Sequence, residues 1–154
     1  MKKKMCFIIS ILIGTVSIIS AQQTAKIQTG GQFKVMEVKE FISNDIFRKP
    51  DVGMRNIAFD IVIDNINGTG DINFNPYFHS VLIRDTDGRT YRPGTEYYYV
   101  KPTMPYRIEV GELARGWITV AIPINVSLAG CRIRLDAEGD QFNRITSDWI
   151  AIKL

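Results

Sequence analysis

Cysteine and histidine are almost absent from this sequence. Cys6 and Cys131 are the two cysteines, and His79 is the one histidine in 154 residues. A zinc centre of the usual kind draws on several such side chains, so neither a structural nor a catalytic zinc is expected, and no cofactor is. No motif marks a Ser or Cys activated by a base, which nucleophilic catalysis needs. No Gly-rich phosphate loop occurs either. These lacks point away from an enzyme. A charge surplus is missing as well. The formal net charge is +3, and Lys2, Lys3 and Lys4 account for all of it; from Gln22 onward 16 Lys/Arg balance 16 Asp/Glu. A nucleic-acid surface normally leaves a positive excess, so nucleic acid is not an expected partner. Helical periodicity is the last absence. With β-branched runs and no long helix, a βαβ fold is excluded.

What is present begins with an export signal. Lys2-Lys3-Lys4 precede an apolar run from Met5 to about Ile19, and Ser20-Ala21 put small residues before Gln22-Gln23. Basic head, apolar middle and small-residue exit predict a signal peptide over 1–21, hence a periplasmic or extracellular protein. The run falls short of the roughly 20 apolar residues of a membrane span, so no span is expected after cleavage. An uncleaved N-terminal anchor is the alternative. Cys6 opens the apolar run, whereas a lipid-modified Cys would follow it, so a lipid on Cys6 is rejected. Cys131 is then the lone thiol. It reads as buried and inert, with an intermolecular disulfide as the other reading.

Residues 22–31 read as a polar leader, and 32–154 as one domain large enough for a core without staples. Phe33, Val35, Met36, Val38 and Phe41 predict a half-buried strand. Ser43 to Gly53 reads as a loop. Asn56 to Asp64 is the strongest strand, with Ile57, Phe59, Ile61 and Ile63 facing a core and Ala58, Asp60, Val62 and Asp64 facing away. Asn65 to Asn75 is turn chemistry. Phe78 to Arg84 predicts a strand carrying His79. Asp87-Gly88 predicts a hairpin to Tyr91. Tyr97 to Val100 reads as a short aromatic strand. Further strands are expected over Tyr106–Val110, Gly116–Pro123, Cys131–Asp136 and Trp149–Leu154. Turn signals recur about every 8 to 15 residues. The expected fold is all-β: an immunoglobulin-like β-sandwich of about seven to nine antiparallel strands.

Three segments carry a resemblance. A long strand ends on Asn in Ile57-Ala58-Phe59-Asp60-Ile61-Val62-Ile63-Asp64-Asn65. An apolar strand ends in Asp-x-x-Gly-x-x-Tyr, from Leu82-Ile83-Arg84 through Asp85, Gly88 and Tyr91. Gly111-Glu112, Gly116 and an apolar strand then close on Pro123. In this order, over about two thirds of the chain, they resemble the bacterial telokin-like extracellular domains, known as domain of unknown function 4352. Val110 stands where that family usually has Pro. The resemblance implies an immunoglobulin-like sandwich in a secreted or envelope-facing protein, and it brings no catalytic residues.

Tyr91, Tyr97, Tyr98, Tyr99 and Tyr106 lie within 16 residues, with Arg107 beside them. Tyrosine suits recognition surfaces, because its ring is apolar and its tip polar. Strand alternation would put Tyr97 and Tyr99 on one face and Tyr98 on the other. A contact surface for an envelope protein or a glycan is therefore expected here; a tyrosine-rich edge strand is the plainer reading. Asn65, Asn67, Thr69 and Asp71 follow part of a calcium-loop spacing, but position twelve is Pro76, which offers no carboxylate. A calcium or small-ligand carrier is the alternative function, and a hydrolase of cell-surface polymers using His79 the remotest one. Asp60 and Asp64 read as solvated, and Trp117 and Trp149 as core.

Overall fold

The computed structural model describes residues 23–75 and 80–154. The expected signal peptide over 1–21 and His79 lie outside them. Eleven strands follow in chain order among the described residues: β1 (Gln23–Lys26), β2 (Gln32–Phe41), β3 (Met54–Asp64), β4 (Ile72–Asn73), β5 (Val81–Arg84), β6 (Thr90–Tyr91), β7 (Arg107–Ile108), β8 (Leu113–Pro123), β9 (Arg132–Glu138), β10 (Arg144–Thr146) and β11 (Ile150–Ala151). They form two antiparallel sheets, an all-β sandwich. The first runs β1-β2-β3-β8; the second runs β6-β5-β9-β4-β7, with β10 and β11 also on β9. The count exceeds nine because several strands are only two residues long. Thus β4 and β5 together flank one side of β9, and β10 and β11 the other.

Alternation explains the core. Ile57, Phe59, Ile61 and Ile63 of β3 are fully buried, with Ile118, Val120 and Ile122 of β8 and Phe33 of β2. They meet Val81, Ile83, Ile133 and Leu135 of the second sheet in one apolar cluster. The apolar phase of β2 changes between Val35 and Val38, where a bulge breaks its register against β3. One extra residue there turns the strand, so that Val38 again packs against the core.

The supposed leader is part of the sandwich. β1 pairs with β2, and Ala25 and Ile27 are buried. Ile27 bridges to Ser147, and Gln28 N–H donates to the Thr146 carbonyl at 2.9 Å. This segment stitches the two sheets together along one edge. Its polar residues misled because an edge strand buries only every second side chain.

Two of the sequence motifs are backbone clamps. The Asp85 carboxylate accepts from the N–H groups of Asp87 and Arg89, both at 2.9 Å, and from the Tyr91 hydroxyl at 2.7 Å. Gly88, at φ 84°, supplies the turn. Asp85-x-x-Gly88-x-x-Tyr91 is thus a β5–β6 hairpin lock. Asn65 is fully buried. Its side-chain N–H groups donate to the carbonyls of Gly70 and Ile108, and its backbone carbonyl accepts from Gly68 and Gly111. Both motifs report on turns, which is why they carry fold and no chemistry.

Candidate functional site

The tyrosine segment is not a strand. Thr95–Tyr98 forms a single 3₁₀ turn, so the expected alternation of faces fails. A turn of three residues points its side chains in three directions. Tyr97 goes inward and is fully buried. Burial, reinforced by Tyr98 and Tyr106, pushes its phenol well above the ordinary range. Its hydroxyl has no hydrogen-bond partner among the described residues. Removing an unsatisfied buried hydroxyl removes its desolvation cost, so Tyr97→Phe is expected to raise the unfolding free energy by about 1 kcal/mol, read from urea melts.

Three contacts seat this segment on the free edge of β8. Glu96 Oε1 accepts from the backbone N–H of Gly94 at 2.8 Å and of Ala121 at 3.0 Å. Trp117 N–H donates to the Pro102 carbonyl at 2.7 Å, and Met104 N–H to the Trp117 carbonyl at 3.3 Å. Thr103 therefore bridges β8 in parallel, after a cis Lys101–Pro102 bond. Covering an edge strand this way removes a template for unwanted pairing.

What the segment presents outward is aromatic. The Tyr98 ring lies 4.9 Å from Tyr97 and 6.3 Å from Tyr106, and the hydroxyls of Tyr98 and Tyr106 are hydrogen-bonded. Lys101 Nζ stands 5.6 Å above the Tyr98 ring. Tyr99 turns to the β2–β3 connection: its ring lies 5.7 Å from Phe41, and its hydroxyl donates to the Phe47 carbonyl at 3.1 Å. That connection carries Ile42, Ile46, Phe47 and Val52, which are 82%, 71%, 84% and 106% exposed. It is ordered locally: Asp45 Oδ1 accepts from Phe47 N–H at 3.0 Å, and Asn56 Nδ2 donates to the Arg48 carbonyl at 3.3 Å. Sequence reasoning placed the loop and missed its surface. The available signal was four large apolar residues inside a stretch otherwise built as a turn.

The tyrosine set is therefore divided. Tyr98 and Tyr106 come together, Tyr99 joins the apolar connection, Tyr97 is an anchor, and Tyr91 belongs to the Asp85 lock. Arg107 pairs with Asp71. That pairing also bears on the calcium spacing. The Asp71 carboxyl is held below its usual range by the Arg107 side chain and then by Val110 N–H. Thr69 Oγ1 donates to the Thr29 carbonyl at 3.2 Å, and Asn67 is exposed. The Asn65 amide N–H₂ is bound to backbone carbonyls, while its buried Oδ1 has no hydrogen-bond partner among the described residues. Asp71 and Thr69 thus serve the loop's own fold.

Next to the segment lies a recess of about 360 Å³ lined by Glu37, Asp60, Pro102, Arg115, Gly116 and Trp117. Two sequence expectations are corrected here. Asp60 is buried and takes Arg115 in a two-pronged pair, with Nε at 3.1 Å and Nη2 at 2.6 Å. Trp117 is only half-buried and lies on the outer face under Lys39 Nζ, 4.0 Å from the ring centre. Trp149 is likewise half-buried outside the core. Indole beneath a cation tolerates water that an apolar core would exclude, so neither Trp needs the interior. Cys131 is buried, donates to the Ser127 carbonyl at 3.1 Å, and has its thiol pushed up by burial and then by Asp85; it is not a poised nucleophile.

No family model and no curated sequence matches the chain. A solved structure does: a candidate lipoprotein of Bacillus subtilis (ycdA), with a TM-score of 0.56 over 82% of this chain at 12% identity. The likeness is one of fold. This chain spans 38% of that protein's length. No helix among the described residues is long and apolar enough to cross a membrane.

Proposed function

We propose that the chain is an exported, non-catalytic interaction module of the telokin-like immunoglobulin type. It engages an envelope protein through the surface formed by Ile46, Phe47 and Tyr99 together with Tyr98 and Tyr106. The carrying observation is the exposure of four large apolar side chains on an ordered connection that Tyr99 ties to the tyrosine segment. Large exposed apolar patches on monomeric proteins mark interaction sites, and these four side chains fall on one connection. Aromatic residues on rigid supports are also the usual anchors of binding energy. Export is supported by the signal-like N-terminus and by the description of the Bacillus subtilis structure as a candidate lipoprotein. The weight of the patch is apolar and aromatic, which favours a protein partner over a glycan.

The test is capture from a detergent-solubilised envelope fraction, with Phe47→Ser and Tyr98→Ala beside the wild type. A specific protein is expected on the wild type, and each variant should retain about tenfold less of it. Phe47→Ser, at an exposed position, should keep its melting temperature within about 2 °C, whereas Tyr98→Ala also gives up packing on the buried Tyr97 and should melt lower. Retention that survives protease treatment of the fraction and vanishes after glycosidase treatment would move the reading to a glycan. Equal capture by all three proteins would remove this surface from consideration.

A further inference from the structure

Arginine crowds one face of the second sheet. β9 alternates Arg132, Arg134, Asp136 and Glu138 on its outer side with buried Ile133, Leu135 and Ala137 on its inner side. Register puts Arg84 opposite Arg132 and Arg144 opposite Glu138 on that outer face. Arg92, just after β6, reaches the same face, because its guanidinium pairs with Asp136. Five cations thus share the face with two carboxylates, and Asp136, fully buried, is taken by Arg92 and Arg144. The chain beyond Ala21 is neutral, so charge has been sorted onto this face and not merely accumulated.

The arginines are braced, not loose. Trp149 lies among them, with the guanidinium of Arg134 at 4.6 Å and that of Arg84 at 5.1 Å from its ring centre. Stacking on indole fixes the plane of a guanidinium while leaving N–H edges for an anion. Burial, and then the charges of Arg144, Arg84 and Arg92, push Arg134 below its ordinary value, with Asp136 opposing them. At the hairpin end, Arg84 and Arg132 flank a recess of about 330 Å³ whose other lining residues are Asp85, Thr86, Gly88 and Gly130. Its one carboxylate, Asp85, is already engaged by two backbone N–H groups and the Tyr91 hydroxyl. Two of the lining residues have no side chain to obstruct an entering group.

We propose that the outer face of β5, β9 and β10 binds an extended anionic glycopolymer carrying repeated phosphate or carboxylate groups, with Arg84 and Arg132 clamping one such group at the recess. Cations spread over three strands, about 5 Å apart from strand to strand, meet a chain of charges better than a single small ion. A bilayer would ask for apolar side chains to insert, and the aromatic on this face is half-buried among guanidiniums. A nucleic acid would ask for open aromatic platforms on which bases stack, and the Trp149 ring is already engaged by two guanidiniums. The proposal does not depend on the apolar surface described above.

The experiment titrates the purified protein with polygalacturonate and with poly(glycerol phosphate), at about 50 mM and about 200 mM salt. Single-stranded DNA and phosphatidylglycerol vesicles run as rivals. At least one glycopolymer is expected to bind at the lower salt and to weaken about tenfold at the higher. The Arg84→Gln/Arg132→Gln pair should lose about tenfold, and the charge-matched pair Arg48→Gln/Lys49→Gln, on the β2–β3 connection, should lose nothing. If the first pair does not fold, Arg84→Lys/Arg132→Lys replaces it; keeping charge but losing the two-pronged geometry, it should weaken binding by a smaller factor. No glycopolymer binding at low salt, equal losses in the two Gln pairs, or binding confined to DNA or vesicles would overturn the proposal.

Discussion

Gly116→Ala is expected to lower the unfolding free energy by about 2 kcal/mol and to loosen the whole tyrosine segment. Gly116 lies in β8, opposite Ile61. A Cβ there would stand 2.5 Å from Met104 N, 2.6 Å from Thr103 C and 2.8 Å from Met104 Cα. These are backbone atoms, held by the paired hydrogen bonds of Trp117 to Pro102 and Met104. They can retreat only by giving up those bonds and by lifting Met104, which is 2% exposed, from the core. Gly116 has no left-handed φ to lose, so the cost is one of space. Gly70→Ala is the control. It has no left-handed φ, and a Cβ there would meet nothing within 4 Å, so its stability should stay within about 0.5 kcal/mol of wild type. Urea melts measure both, and Tyr98-dependent capture should fall with Gly116→Ala even where the domain remains folded. Wild-type stability in Gly116→Ala would mean that residues 102–104 are not seated on β8.

This glycine shows what the sequence carries and what it conceals. Gly116 was visible as part of a motif before an apolar strand, but its reason is a close approach of residues remote in the chain, which no local pattern encodes. Period-two alternation made β3, β8 and β9 legible, since a buried face imposes it on every second residue. The defect in β2 was not read: the strand was expected to alternate throughout, and the adjacent apolar Val35 and Met36 mark where the bulge falls. The hairpin at Asp87-Gly88 was legible, because a tight turn is local; that Tyr91 closes it on Asp85, and does not join the contact surface expected of it, was not. The tyrosine segment was not legible either. Three adjacent tyrosines satisfy a strand pattern and a turn equally well, and the choice was made by Glu96 capping β8 and by Tyr97 finding the core. The two tryptophans and Asp60 failed differently. Each obeyed alternation and lay on the outer face of its own sheet, but Lys39 and Arg115 roof the one face and Arg84 and Arg134 the other. Long cationic side chains cover surface with their stems, so a residue can be outside the core and still out of water.

Asp136 should be the most costly single charge to remove. It is fully buried, and Arg92 and Arg144 both donate to its carboxylate. Asp136→Asn keeps the volume but is neutral, so both guanidiniums lose their counter-charge, and its amide N–H₂ faces at least one of them donor to donor. Breaking a buried ion pair from one side is expected to cost about 3 kcal/mol at neutral pH. The pH profile carries the same information. Burial raises the carboxyl pKa, but hydrogen bonds from Arg144 and Arg92, with their charges, outweigh burial and hold it below its usual range. A carboxyl that ionises more readily folded than unfolded gives stability that is complete above its unfolded pKa, about 4. That stability is lost as pH falls from there through the lower folded value. The gap between wild type and Asp136→Asn is therefore expected to be constant from about pH 5 to pH 7 and to narrow below about pH 4. Urea melts across that range read the gap directly. A gap that stayed constant down to the acid limit would mean that the carboxyl carries no charge-dependent stability, and that shape alone holds Arg92 and Arg144 in place.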